Sequence, residues 1–148
     1  ERKLIFPTLI TKKRVGEHLF ASMQTVFARQ SKETHFLLVS TQRFQTRPTL
    51  NLVKYFNIMV DWEEINNHKP NPETFIKVAT ALNTPPQNCI VFEDAKNGVQ
   101  AAKNGNMKVI AIKTEFQTEK DLKDADMIIE SFKEINLKLV KSVLVSQL

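Results

Sequence analysis

Glu93 and Asp94 stand directly after the apolar run Ile90, Val91 and Phe92, two adjacent acids where a buried strand would end. A hard cation such as Mg²⁺ takes oxygen ligands and keeps several waters, so one or two carboxylates plus a phosphate suffice to hold it. Asp94 and Glu93 can supply those oxygens. Two further places offer the complementary chemistry. Ser40 and Thr41 follow the apolar run 36–39, and Lys69 lies in the loop after 58–67. A hydroxyl at a helix start donates to phosphate, and a lysine neutralises phosphate oxygens and a neighbouring carboxylate. Each residue also has an ordinary role. Ser40 or Thr41 suits a helix cap, Lys69 a solvated loop, and the acid pair the N-terminus of the helix beginning near Asn97. His35 and His68 have no partner at metal-ligand spacing and read as surface or packing residues.

The elements that must bring these groups together are legible as alternating periods. Short apolar runs at 36–40, 58–60, 89–93, 108–112 and 127–129 predict strands, and their near-continuous hydrophobicity suits strands covered on both faces and paired in parallel. Between them, Phe20, Met23, Val26 and Phe27 mark one helical face, Phe75, Val78, Ala79 and Leu82 a second, and Val99, Ala101 and Ala102 a third. Pro70 and Pro72 precede the helix near 73–82, Pro85 and Pro86 stop it, and Gly105 falls where a C-terminal cap belongs. In the tail, Leu137, Val140, Leu144 and Leu148 have the spacing of a helix docked on the core. The pattern predicts an α/β fold, a three-layer doubly wound parallel sheet of Rossmann type. In such a sheet ligands bind outside the carboxyl ends of the strands, where Ser40, Lys69, Glu93 and Asp94 are all expected.

Composition narrows the classes. The chain has 148 residues, the size of one domain, with 42% hydrophobic and 25% charged residues. A single core domain over 1–148 is expected, with 1–15 either a remnant of a first strand or a connection to a cap. No apolar run approaches the roughly 20 residues that cross a bilayer. The formal charge of +5 is spread along the chain with acids between, and the one basic cluster, 11–14, is too short for a nucleic-acid signature. Neither a nucleic-acid nor a membrane partner is expected. The single cysteine, Cys89, cannot form an internal disulfide, and the opening residues lack the form of a secretion signal. A cytoplasmic location is the expectation, with no oligomeric state assigned.

The stretch from His68 to Ile112, with its Lys69–Pro70 loop, the acids Glu93 and Asp94 and the following Asn97 and Gly98, resembles the C-terminal half of a haloacid dehalogenase-superfamily hydrolase. The branch it resembles is that of the β-phosphoglucomutase-like phosphatases, and the likeness runs over about 16–136. The resemblance implies that Ser40 and Lys69, with Thr41, hold the transferring phosphoryl group of a small phosphorylated metabolite. It also implies that Asp94 and Glu93 hold Mg²⁺, with Asn97 supporting them.

The family's reaction also uses an aspartate nucleophile in a D-x-D-G sequence at the end of the first strand. The D-x-D at Asp124 and Asp126 precedes a strand and lacks the glycine, so it is read as unrelated. At the N-terminus the apolar run 4–6 and the trio Thr8, Leu9 and Ile10 resemble the family's flanks around the motif, with Pro7 between them, and proline offers neither a nucleophile nor an N–H. Two readings stay open. In one, the motif and the helical cap belong to residues outside these 148, and the protein is a phosphatase or phosphomutase. In the other, the chain is a catalytically inactive relative that binds or scaffolds.

Overall fold

The computed structural model describes residues 23–30 and 33–40 as strand backbone, together with Val60 and residues 64–145. The strands are β1 (Met23–Gln30), β2 (Glu33–Ser40), β3 (Cys89–Glu93), β4 (Lys108–Ile112) and β5 (Met127–Ile129). The helices are α1 (Glu73–Ala81), α2 (Lys96–Asn104), α3 (Glu119–Leu122) and α4 (Leu137–Val145). One sheet runs in the order β2-β1-β3-β4-β5.

All five residues of β3 are buried, Cys89 to Phe92 as their unbroken hydrophobicity predicts and the charged Glu93 with them. Successive side chains of a strand point to opposite faces, and β3 divides accordingly. Cys89 and Val91 join Phe75, Val78, Val99 and Ala102 in one core, whereas Ile90 and Phe92 join Ile129, Ile135, Val140 and Val143 in the other. Helices α1 and α2 therefore cover one face and α4 the other, which gives the expected three layers. The tail docks through Val140 and Val143, and Leu148 lies outside the described residues.

The parallel pairing expected from the sequence holds for β3, β4 and β5, where Val91 faces Val109 and Ala111 faces Ile128. On the other side β1 is antiparallel to both neighbours, with Thr25 opposite Phe92 and Met23 opposite Ser40. Here the expected helical face over Phe20, Met23, Val26 and Phe27 is corrected: Met23, Val26 and Phe27 lie in a strand, and Phe20 is outside the described residues. Only two residues separate β1 from β2, which suffices for a hairpin and not for a parallel crossover. Of the strand expected at 58–60, only the buried Val60 is described.

Both longer helices before the tail end in the same way. After α2 the amides of Asn106 and Met107 bond to the carbonyls of Lys103 and Ala102, at 3.0 Å each. After α1 those of Asn83 and Thr84 bond to Thr80 and Ala79 at 2.9 and 3.0 Å. These are Schellman closures, and the left-handed residue in each is an asparagine, Asn106 at φ 57° and Asn83 at φ 49°. Gly105 is the C-terminal cap residue of α2, as expected, and it precedes that turn with a negative φ. Its lack of a side chain serves packing, since a Cβ there would sit 3.2 Å from Pro72 Cβ.

Candidate functional site

The carboxyl end of β3 carries Glu93 into the interior. Its side chain is fully buried and its Oε1 accepts from Lys69 Nζ, while Oε2 accepts the Asp94 backbone N–H at 3.0 Å. Both carboxylate oxygens are therefore engaged, as a buried charge requires. Lys69 is itself 16% exposed and lies over the ring of Phe75, 5.0 Å from its centroid, so the cation is held by an acid and an aromatic face together. Burial pushes its ammonium below the ordinary lysine range, and Glu93 and then Asp94 push it back.

Asp94 is half-buried at the mouth of this pair. Burial first and the Glu93 charge second raise its carboxyl from 3.8 to about 6, against a smaller opposing pull from Lys69. Glu93 is committed to Lys69, so an oxygen ligand offered here to a cation would come from Asp94. A hard cation bound through one carboxylate, with phosphate and water completing its shell, fits this donor set. Among the described residues no cluster of three or more metal-ligating side chains occurs. A cation here would thus rest on Asp94 with Glu93 behind it.

Lys69 is placed by the loop before α1. Glu73, in the first turn of α1, accepts from the backbone N–H groups of Asn66 and Asn67 at 3.0 and 2.7 Å and from Asn67 Nδ2 at 2.8 Å, and it pairs with Lys77 at 2.8 Å. Asn71 Oδ1 accepts the Glu73 N–H at 2.9 Å. From the end of α2, Asn104 Nδ2 donates to the Pro70 carbonyl at 2.9 Å. Glu73, Phe75 and Asn104 also support this place, and the sequence does not mark them as part of a site. An acid in a helix's first turn with lysine four residues on is a readable pattern, but the long-range bond from Asn104 has no local signature.

Of the residues singled out from sequence, Lys69, Glu93 and Asp94 come together. Ser40 ends β2, and because β1 is antiparallel to both β2 and β3, β2 runs in the same direction as β3. The Ser40 backbone thus stands at the same rim as Glu93 with β1 between, about 10 Å away at two strand spacings. Thr41 lies outside the described residues. Asn97 is exposed on the first turn of α2. Asp126 sits at the opposite edge of the sheet, where its side chain accepts the Val109 N–H at 2.8 Å and pairs with Lys103 and Lys108 at 2.9 and 3.3 Å. Its role is to fasten β5 to β4, which agrees with reading the D-x-D there as unrelated to the site.

An acid pair at the end of a parallel strand, a part-buried lysine beside it and helices on both faces define an α/β core with a polar rim. The family model for haloacid dehalogenase-like hydrolases matches residues 23–112, more than half of the chain, and the protein belongs to that family. Its likeness falls in the β-phosphoglucomutase-like branch. The chain is 29% identical to the crystal structure of a β-phosphoglucomutase from Clostridium difficile, with a TM-score of 0.56 over 62% of this chain and 40% of that one. It is 44% identical over 61 residues to a phosphorylated carbohydrates phosphatase of Thermotoga maritima, covering 41% of this chain and 28% of the relative. It is 38% identical over 64 residues to a fructose-1-phosphate phosphatase of Escherichia coli, covering 43% of this chain and 34% of the relative. The chain thus spans less than half the length of these proteins.

Proposed function

We propose that this chain supplies the phosphate- and cation-holding half of a Mg²⁺-dependent phosphatase or phosphomutase acting on a small phosphorylated sugar, within one core domain. The observation that carries the reading is the pair of Lys69 with the buried Glu93 at the carboxyl end of β3 and the half-buried Asp94 beside it. Lys69 neutralises phosphoryl oxygens and Asp94 holds the cation, with Glu93 fixing Lys69. Ser40, with Thr41, donates to the phosphoryl group from the end of β2, and Asn97 flanks the acid pair. Bound Mg²⁺ would supply charge to balance the phosphoryl oxygens. The names of the sugar-phosphate-acting relatives support the substrate class. A carboxylate nucleophile attacks phosphorus and the ester P–O bond breaks toward the leaving oxygen, after which water hydrolyses the acyl phosphate. In this proposal that aspartate lies outside the 148 residues.

Hydrolysis of p-nitrophenyl phosphate and of hexose phosphates by the full-length protein, measured with and without Mg²⁺, tests the reading. Mg²⁺-dependent turnover that Asp94→Asn and Lys69→Ala each abolish is the expected result. Absence of turnover in a full-length protein that carries a D-x-D-G sequence would sink it, and would favour a binding role.

A further inference from the structure

The chain uses glycine at only three of 148 positions, yet one of them, Gly98, lies inside α2. Gly98 is the third residue of that helix, and it has no positive φ that would call for a glycine. What requires it is space. Gly98 is buried, and a Cβ built on it would fall inside the van der Waals envelope of Glu93 Oε1, Cδ and Cγ. The α2 backbone therefore lies directly against the Glu93 carboxylate. That side chain has nowhere to retreat, since it is fully buried with Lys69 on one oxygen and the Asp94 N–H on the other.

We infer that Gly98 is a positioning residue for the phosphoryl site: its bare backbone forms the wall that holds Glu93 in the one place from which it can fix Lys69 Nζ. A methyl group there pushes the Glu93 carboxylate off Lys69 and frees the ammonium to swing away. The inference about geometry stands on the contacts alone, and its catalytic consequence rests on the proposed function.

The test is a cycle of Gly98→Ala, Glu93→Ala and the double variant, read by acetic anhydride labelling of Lys69, by melting temperature and by turnover. In the native background Gly98→Ala is expected to speed Lys69 labelling to the rate of Glu93→Ala, lower the melting temperature and reduce kcat by about 100-fold. In the Glu93→Ala background the added methyl fills vacated space. There it should raise the melting temperature and leave labelling and turnover unchanged, a reversal of sign that a generic loss of helix packing does not produce. Labelling of Lys69 at the native rate in Gly98→Ala, or an equal fall in melting temperature in both backgrounds, overturns the inference. Should the single variant fail to fold, recovery of folded protein on adding Glu93→Ala supports the assignment, and failure of both overturns it. If a full-length protein that carries the D-x-D-G sequence shows no turnover, the functional proposal fails while the labelling and melting comparisons still decide the role of Gly98.

Discussion

Asp94 and Lys69 place opposite demands on the same few cubic ångströms. The Asp94 carboxyl is raised to about 6, so the folded state holds its proton more tightly than the unfolded chain does. The stability this contributes is fully present below the unfolded value near 4 and is lost as pH rises through about 6. Asp94→Asn removes the ionisation. It should stabilise the protein at pH 7.5 by about 1–2 kcal/mol once solvent screening of this half-buried group is discounted, and flatten the melting-temperature profile between pH 4 and 6. Gain of stability together with loss of Mg²⁺ binding would support the cation-holding role proposed for Asp94. Lys69→Ala acts in the other direction, leaving the fully buried Glu93 without its counter-charge. The expected cost is about 3–5 kcal/mol by urea unfolding, and Lys69→Ala/Glu93→Gln should recover part of it. At this scale the sequence was informative because residue type restricts chemistry: a lysine and two acids after apolar runs were sufficient to nominate Lys69, Glu93 and Asp94. It could not reveal that Glu93 is committed to Lys69 and Asp94 is not, because that division depends on which oxygen meets which partner across 24 residues of chain.

Among the elements, the loop from Asn66 to Glu73 and the end of α2 decide where Lys69 stands. Four donors lower Glu73 from 4.5 to about 2, with Lys77 the largest cause. A depressed carboxyl contributes stability that is present above its unfolded value and disappears as pH falls through about 2. Below pH 4 the loop should begin to loosen before the sheet does, and Glu73→Gln should loosen it at neutral pH. Faster amide exchange at Asn66 and Asn67, against unchanged exchange in β4, would verify this. At the end of α2, Asn106 adopts φ 57°. Asn106→Gly should be neutral to stabilising, whereas Asn106→Ala should cost about 1 kcal/mol in thermal unfolding. The strands β3, β4 and β5 and the helices α1 and α2 were readable because both their periodicity and their turn residues agree with the fold. Residues 23–30 were not. Met23, Val26 and Phe27 have helical spacing, but pairing with β2 and β3 on either side outweighs that local preference.

Across the whole molecule, β3 and β4 separate two cores that share no residue, one under α1 and α2 and the other under α4. The site belongs to the first, since Lys69 packs on Phe75 and Glu93 abuts α2. Val140→Ala, in the second core, should therefore cost about 2 kcal/mol of global stability while leaving the labelling rate of Lys69 and the Mg²⁺ affinity proposed for Asp94 unchanged. A fall in either would mean that α4 also shapes the rim. The three-layer arrangement was legible from runs buried on both faces. Which helix guards the acids was not, because the sequence marks a helix's apolar stripe without saying which face of a doubly covered sheet it will meet.

Helix α2 also governs how the protein ages. It contains Asn97–Gly98 and ends in Asn104–Gly105, and asparagine followed by glycine is the pairing most prone to cyclise to a succinimide by attack of the glycine nitrogen. Both nitrogens are already occupied, Gly98 N–H by the Ala95 carbonyl at 3.0 Å and Gly105 N–H by that of Ala101 at 3.0 Å. Folded molecules should keep both asparagines intact on storage, whereas chains that linger unfolded accumulate isoaspartate one residue from the wall behind Glu93 and can no longer rebuild that turn.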